Sequence, residues 1–131
     1  PQCRFNLSHS GPYALCALSD GEVGADVEMI RPRRSFLPQK ALSGTEFAWF
    51  RDRGSRWEDF YTLWTLKEAR VKYTGTGLTL PPRDIVVPLL DPGQHARLDG
   101  LIFTAYAGEG WRAALCAGEV GRPMETLSDL F

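Results

Sequence analysis

The segment FYTLWTLKEARVKYTG, residues 60–75, decides how this chain folds. Wound at about 100° per residue with Trp64 at zero, Phe60, Tyr61, Trp64 and Val71 fall within roughly 60° of one line, as does Trp57 just upstream. The spacing predicts a long amphipathic helix. Glu68 lies at about 40°, inside the same arc. An ionised carboxylate on an apolar face is costly without a partner. Three arrangements satisfy it. The helix can end its burial at Glu68. Glu68 can pair with Lys72, one turn on and in the favourable Glu-to-Lys order. Or Glu68 can share a cation with other acids.

Working outward, SGTEFAWFRDR (43–53) predicts a second helix, opened by a capping box of Ser43 with Glu46 three residues on. SRWE repeats that pattern at Ser55 and Glu58 and opens the long helix; Gly75 and Gly77 close it. Upstream, RFNLSHS and YALCALS read as strands joined at GP, and DGE reads as a hairpin turn into a third strand, EVGADVEMI (22–30). That strand alternates, with Val23, Ala25, Val27 and Met29 on one face and Gly24, Asp26, Glu28 and Ile30 on the other. Downstream, PPRDIVVPLL contains a short strand, PGQHARLDG is turn-like, and LIFTAYA and WRAALCAGE flank GEG as a hairpin. The order β-β-β-α-α-β-β-β implies an α+β fold: one domain over 1–131, its helices packed on a largely antiparallel sheet.

Bulk properties narrow the function. A chain of 131 residues can bury a real core, and 44% hydrophobic with 24% charged residues suits a soluble globular protein. The net charge of −1 gives no footprint for nucleic acid or membranes. No apolar run approaches the roughly 20 residues of a membrane span, and no targeting segment is visible. Cys3, Cys16 and Cys116 lack metal-ligand spacing and read as reduced thiols of a cytoplasmic protein. The chain opens on Pro1 and enters strand-like sequence almost at once, as a fragment or a processed product would.

The acids carry the chemistry. Asp26 and Glu28, two apart on a strand, share a face at roughly 7 Å along the backbone. They are either a solvated strand face or a pair that takes a cation between like charges. Adding Glu68 gives three carboxylates with no Cys or His cluster, a set that favours Mg²⁺ over Zn²⁺. Mg²⁺ usually keeps waters and takes substrate phosphates, and Lys67 and Lys72 beside it would clamp those phosphates. In SHS, Ser8 and Ser10 share a strand face and His9 points the other way, which argues against a local Ser–His nucleophile. His9 is then either a structural histidine or a phosphate donor. A metal nuclease also uses acids and a lysine on Mg²⁺, but it places them flanking one residue of a strand, whereas Glu68 and Lys72 are a helical turn apart.

FNLSHSG, GADVE, SGTEF and FYTLWTLKEARVKYTGTGL, in this order and spacing, resemble the 4'-phosphopantetheinyl transferase superfamily in its two-lobed, surfactin-synthetase-activating form. The motifs cover Phe5 to Leu80. The resemblance implies Mg²⁺-dependent transfer of phosphopantetheine from coenzyme A to a serine of an apo carrier protein, leaving adenosine 3',5'-bisphosphate. It implies that Asp26, Glu28 and Glu68 hold Mg²⁺ on the pyrophosphate, that Lys67 and Glu68 are the family's Lys–Glu pair, and that Lys72 contacts that pyrophosphate. It implies that Ser8 and His9 meet the 3'-phosphate of coenzyme A and that Glu46 stands near the metal. The serine hydroxyl needs a base, for which Glu68 and Glu46 both qualify; Glu46 is equally the third residue of a capping box. The stretch resembles a C-terminal lobe, with the N-terminal lobe absent from this chain. The alternative is therefore a non-catalytic lobe that binds coenzyme A or a carrier protein and needs a partner lobe for activity. RPRR (31–34) with Phe36 and Leu37 reads either as a solvated loop or as a docking patch for an acidic carrier.

Overall fold

The computed structural model describes residues 3–75 and 80–118. Strands β1 (Arg4–Ser10) and β2 (Tyr13–Ser19) form a two-stranded antiparallel ribbon. Strand β3 (Val23–Met29) belongs to a separate antiparallel sheet with β4 (His95–Leu98), β5 (Leu101–Gly108) and β6 (Trp111–Gly118), in the order β3-β6-β5-β4. In the chain, α1 (Leu37–Ala41), α2 (Gly44–Asp52) and α3 (Trp57–Thr74) run between β3 and β4. A 3-10 turn follows at Pro82–Asp84. The expected α+β class, with helices on antiparallel sheets, is what the chain adopts. No helix among the described residues is long and apolar enough to cross a membrane.

Helix α3 lies on the sheet because β3 lets it come close. A Cβ at Gly24 would stand 2.0 Å from the Ala69 carbonyl oxygen and 2.5 Å from the Tyr73 amide nitrogen. Only glycine permits that approach. Under α3 the core gathers Phe60, Leu63, Leu66 and Ala69 with Phe103, Ala105, Ala114 and Cys116. Val23, Ala25 and Leu115 form a second cluster with Ala17 of the ribbon.

The ribbon meets β3 through side chains rather than a backbone ladder. The N–H groups of Ala25, Val27 and Met29 donate to Asn6 Oδ1, Ser8 Oγ and Ser10 Oγ, each at 3.0 Å. Buried backbone donors must find acceptors, and here the period-two repeat of β1 supplies them to the period-two repeat of β3.

Several expectations are corrected. DGE does not close a hairpin, because β2 pairs with β1 and β3 pairs with β6. Ser55 does not cap α3: it adopts φ 54°, and the N-cap is Arg56 with no side-chain cap bond. The capping box at Ser43 and Glu46 is present, and Gly75 ends α3 in the left-handed region at φ 70°. Gly77 and the tail GRPMETLSDLF lie outside the described residues. PPRDIVVPLL holds the 3-10 turn followed by chain outside the sheet, and the turn-like PGQHARLDG contains β4. The hairpin of LIFTAYA and WRAALCAGE is present as β5 and β6.

Candidate functional site

Helix α3 is enclosed on more sides than its aromatic arc suggested. Leu63, Leu66 and Ala69 are fully buried, while Trp64, Glu68 and Val71 are half-buried. Glu68 therefore stands on the flank of the helix, at the margin of the core. That flank faces β3, since Gly24 touches Ala69 and Tyr73 and the next residue on the same face of the strand is Asp26.

Asp26 is 4% exposed, and Lys72 Nζ approaches its Oδ1 at 3.4 Å. Ser8 Oγ donates to the same oxygen at 3.1 Å. Asp26 Oδ2 is buried without a hydrogen-bond partner. Burial, then the neighbouring Glu28 charge and, more weakly, Glu68, push the Asp26 carboxyl up to about 8 against the opposing pull of Lys72. Burial also raises Glu68, with Glu28 adding to it and Lys72 opposing. Asp26, Glu28, Glu68 and Lys72 thus share one electrostatic neighbourhood, assembled from β3 and α3.

Glu46 and Lys67 form a different unit. Lys67, 1% exposed, donates to Glu46 Oε1 at 2.8 Å, Pro82 O at 2.9 Å and Ile85 O at 2.6 Å. Those three acceptors take all three ammonium donors. Glu46 Oε1 also accepts the Ser43 N–H at 2.8 Å, completing the capping box. Burial lowers Lys67, opposed by Glu46 and Asp84. The charges that act on Lys67 are not those that act on Asp26. Position 67 is about 100° around the helix from Glu68, and its ammonium is held by Glu46 and the two carbonyls rather than by the acids of β3. The Glu46 carboxylate serves both the cap and Lys67.

Ser8 lies at the acids and His9 on the exposed face of the ribbon, as alternation along a strand requires. The hydroxyl of Ser8 donates to Asp26. Sequence reasoning missed Ser10 as a site residue, although Ser8 and Ser10 sit at the same two-residue spacing as Asp26 and Glu28. The three cysteines are free, and burial pushes the Cys116 thiol up to about 12, far from a reactive thiolate.

Among the described residues, no three His, Cys, Asp or Glu side chains close up into a metal cage. The donor set nonetheless suits a hard cation that is held in part by substrate. Such an ion takes one or two carboxylates plus phosphates and waters, and Asp26 Oδ2 is a buried acceptor with no hydrogen-bond partner beside two further acids.

The family model of the 4'-phosphopantetheinyl transferase superfamily matches residues 22–116. The chain is similar to 4'-phosphopantetheinyl transferase Sfp of Bacillus subtilis (strain 168), at 30% identity over 94% of this chain and 58% of that protein. A second 4'-phosphopantetheinyl transferase of Bacillus subtilis is 32% identical over 99% of this chain and 63% of that protein. 4'-Phosphopantetheinyl transferase AcpT of Escherichia coli (strain K12) is 45% identical over 54% of this chain and 39% of its own length. The chain therefore spans 58% and 63% of the length of the two Bacillus relatives.

Proposed function

The chain belongs to the 4'-phosphopantetheinyl transferase superfamily, and on that premise we propose that it acts in Mg²⁺-dependent transfer of phosphopantetheine from coenzyme A to a serine of an apo carrier protein. The observation that carries this reading is the buried Asp26, its Oδ2 unpartnered, under the joint influence of Glu28, Glu68 and Lys72. A buried carboxylate beside two further acids is the kind of arrangement that a bound cation would stabilise.

In this reading Asp26, Glu28 and Glu68 would hold Mg²⁺, which supplies positive charge against the pyrophosphate. Lys72 adds a second cation, fixed beside Asp26, against the charge that develops on the departing adenosine 3',5'-bisphosphate. The carrier serine oxygen attacks the phosphorus that bears the pantetheine arm. The bond from that phosphorus to the bisphosphate breaks, and the serine proton passes to Glu68, directly or through water. Glu68 is favoured for the base role because Glu46 is held by the Ser43 N–H and the Lys67 ammonium. His9, exposed on the ribbon, is the residue offered to the 3'-phosphate. Arg31, Arg33, Arg34 and Phe36 are all exposed, a basic and apolar edge that suits an acidic carrier protein.

A second reading, a coenzyme A- or carrier-binding lobe that needs a partner lobe for activity, is supported by Phe5 and Leu7. These lie side by side on the ribbon at 64% and 61% exposure. One assay separates the two. The chain is incubated with Mg²⁺, coenzyme A and an apo carrier protein, and the carrier is weighed intact. Addition of the phosphopantetheine mass supports transfer. Binding of coenzyme A without addition supports the lobe reading, and neither result sinks both.

A further inference from the structure

We propose that Ser8 and Ser10 are positioning residues for the acidic pair, each hydroxyl holding one carboxylate and one backbone amide of β3 at once. The inference rests on the cation-binding reading of Asp26 and Glu28. Ser8 Oγ accepts the Val27 N–H at 3.0 Å and donates to Asp26 Oδ1 at 3.1 Å. Ser10 Oγ accepts the Met29 N–H at 3.0 Å and donates to Glu28 Oε1 at 3.4 Å. The same arrangement occurs twice, one residue pair further along each strand.

The chemistry requires a hydroxyl. The amide of β3 needs an acceptor and the neighbouring carboxylate needs a donor, and a serine side chain is both. The contrast within β1 makes the point. Asn6 performs only the first task, accepting the Ala25 N–H, and the residue before Ala25 is Gly24, which has no carboxylate to hold. Ser8 also decides which oxygen of Asp26 is left over. With Ser8 and Lys72 both on Oδ1, Oδ2 is the atom without a hydrogen-bond partner. A carboxylate free to rotate would present either oxygen and bind a cation less well.

Asn6 supplies the control. Mn²⁺ binding, read by calorimetry and by the electron spin resonance of the free ion, is compared in the parent, Ser8→Ala, Ser8→Thr, Ser10→Ala and Asn6→Ala, with thermal unfolding of each. Ser8→Ala and Ser10→Ala should weaken Mn²⁺ by about tenfold or more, the usual effect of removing a group that orients a ligand. Ser8→Thr should restore binding to within about twofold of the parent, since its hydroxyl is retained. Asn6→Ala should lower the unfolding temperature and leave Mn²⁺ affinity unchanged. Should Ser8→Ala fail to fold, Ser10→Ala, at a half-buried position, still decides. If the serine variants lose stability as Asn6→Ala does and bind Mn²⁺ like the parent, the serines only close the edge of β3 and the proposal is overturned. A parent that takes up no Mn²⁺, either alone or with coenzyme A present, overturns the cation reading itself, and this inference with it.

Discussion

Replacing Gly24 by alanine tests the contact on which the site is built. The new methyl would sit 2.0 Å from the Ala69 carbonyl oxygen, 2.5 Å from the Tyr73 amide nitrogen and 3.1 Å from the Ala69 carbonyl carbon. Residues 69 and 73 are the two ends of one i to i+4 helical hydrogen bond, so the methyl strikes the helix backbone itself, which has no rotamer to yield. Restoring an ordinary contact requires α3 and β3 to part by about 1 Å or more. Overpacking usually costs about 1–3 kcal/mol, and a backbone collision belongs at or above the top of that range. For a domain of this size that corresponds to a fall of roughly 10 °C in unfolding temperature. The same wedge moves Glu68 and Lys72, the neighbours of Ala69 and Tyr73, away from Asp26, so the 3.4 Å Lys72–Asp26 contact should break and cation affinity should drop. Circular dichroism melting and Mn²⁺ calorimetry measure both effects. Gly44→Ala, where a methyl meets nothing within 4 Å, should be neutral or slightly stabilising. If Gly24→Ala melts within about 2 °C of the parent and binds cations equally well, the close approach of α3 to β3 is wrong, and with it the geometry of the site.

Lys67→Met should cost about 3–5 kcal/mol in urea unfolding by stranding a buried Glu46, and Lys67→Met combined with Glu46→Gln should recover part of it. Glu68→Gln should fold as the parent does, because Glu68 is half-buried, yet should abolish addition of phosphopantetheine in the intact-mass assay; normal turnover by this variant would remove Glu68 from the chemistry. Asp26 rises from 3.8 to about 8 in the folded state, so the native protein holds a proton that the unfolded chain has released. The stabilisation is therefore full below pH 3.8 and is lost as pH climbs through about 8, an effect on the order of a few kcal/mol. Urea midpoints at pH 5 and 8.5 should show this decline, Asp26→Asn should flatten it, and Mg²⁺ should counter it at the higher pH. Mg²⁺ affinity should itself rise about tenfold per pH unit up to about pH 8, as a cation displaces that proton.

What sequence could reveal depended on the range of the forces involved. The capping box at Ser43, the left-handed stop at Gly75 and the alternation of β3 are set by residues a few positions apart, and each is present as expected. The separation of the ribbon from the sheet was not legible, because pairing β3 with β6 joins Val23 to Ala117 across most of the chain. Nor was the partner of Lys67, since Glu46 lies on another helix and the two carbonyls come from the following loop. The aromatic arc of α3 marked only part of the buried face, because a helix covered on several sides carries apolar residues on more than one stripe. Asp26, Glu28, Glu68 and Lys72 were legible as a group because each motif is local and both elements are regular. Ser10 was passed over because a serine on a strand carries no signal until its carboxylate partner is known.

The amide groups of Ala25, Val27 and Met29 are answered by Asn6, Ser8 and Ser10. That margin of β3 consequently offers no template for a passing extended peptide. A foreign strand arriving there would find its hydrogen-bond donors already taken and would have to peel the ribbon away before it could zip on. The acidic strand can thus stand at the border of its sheet without inviting edge-to-edge aggregation.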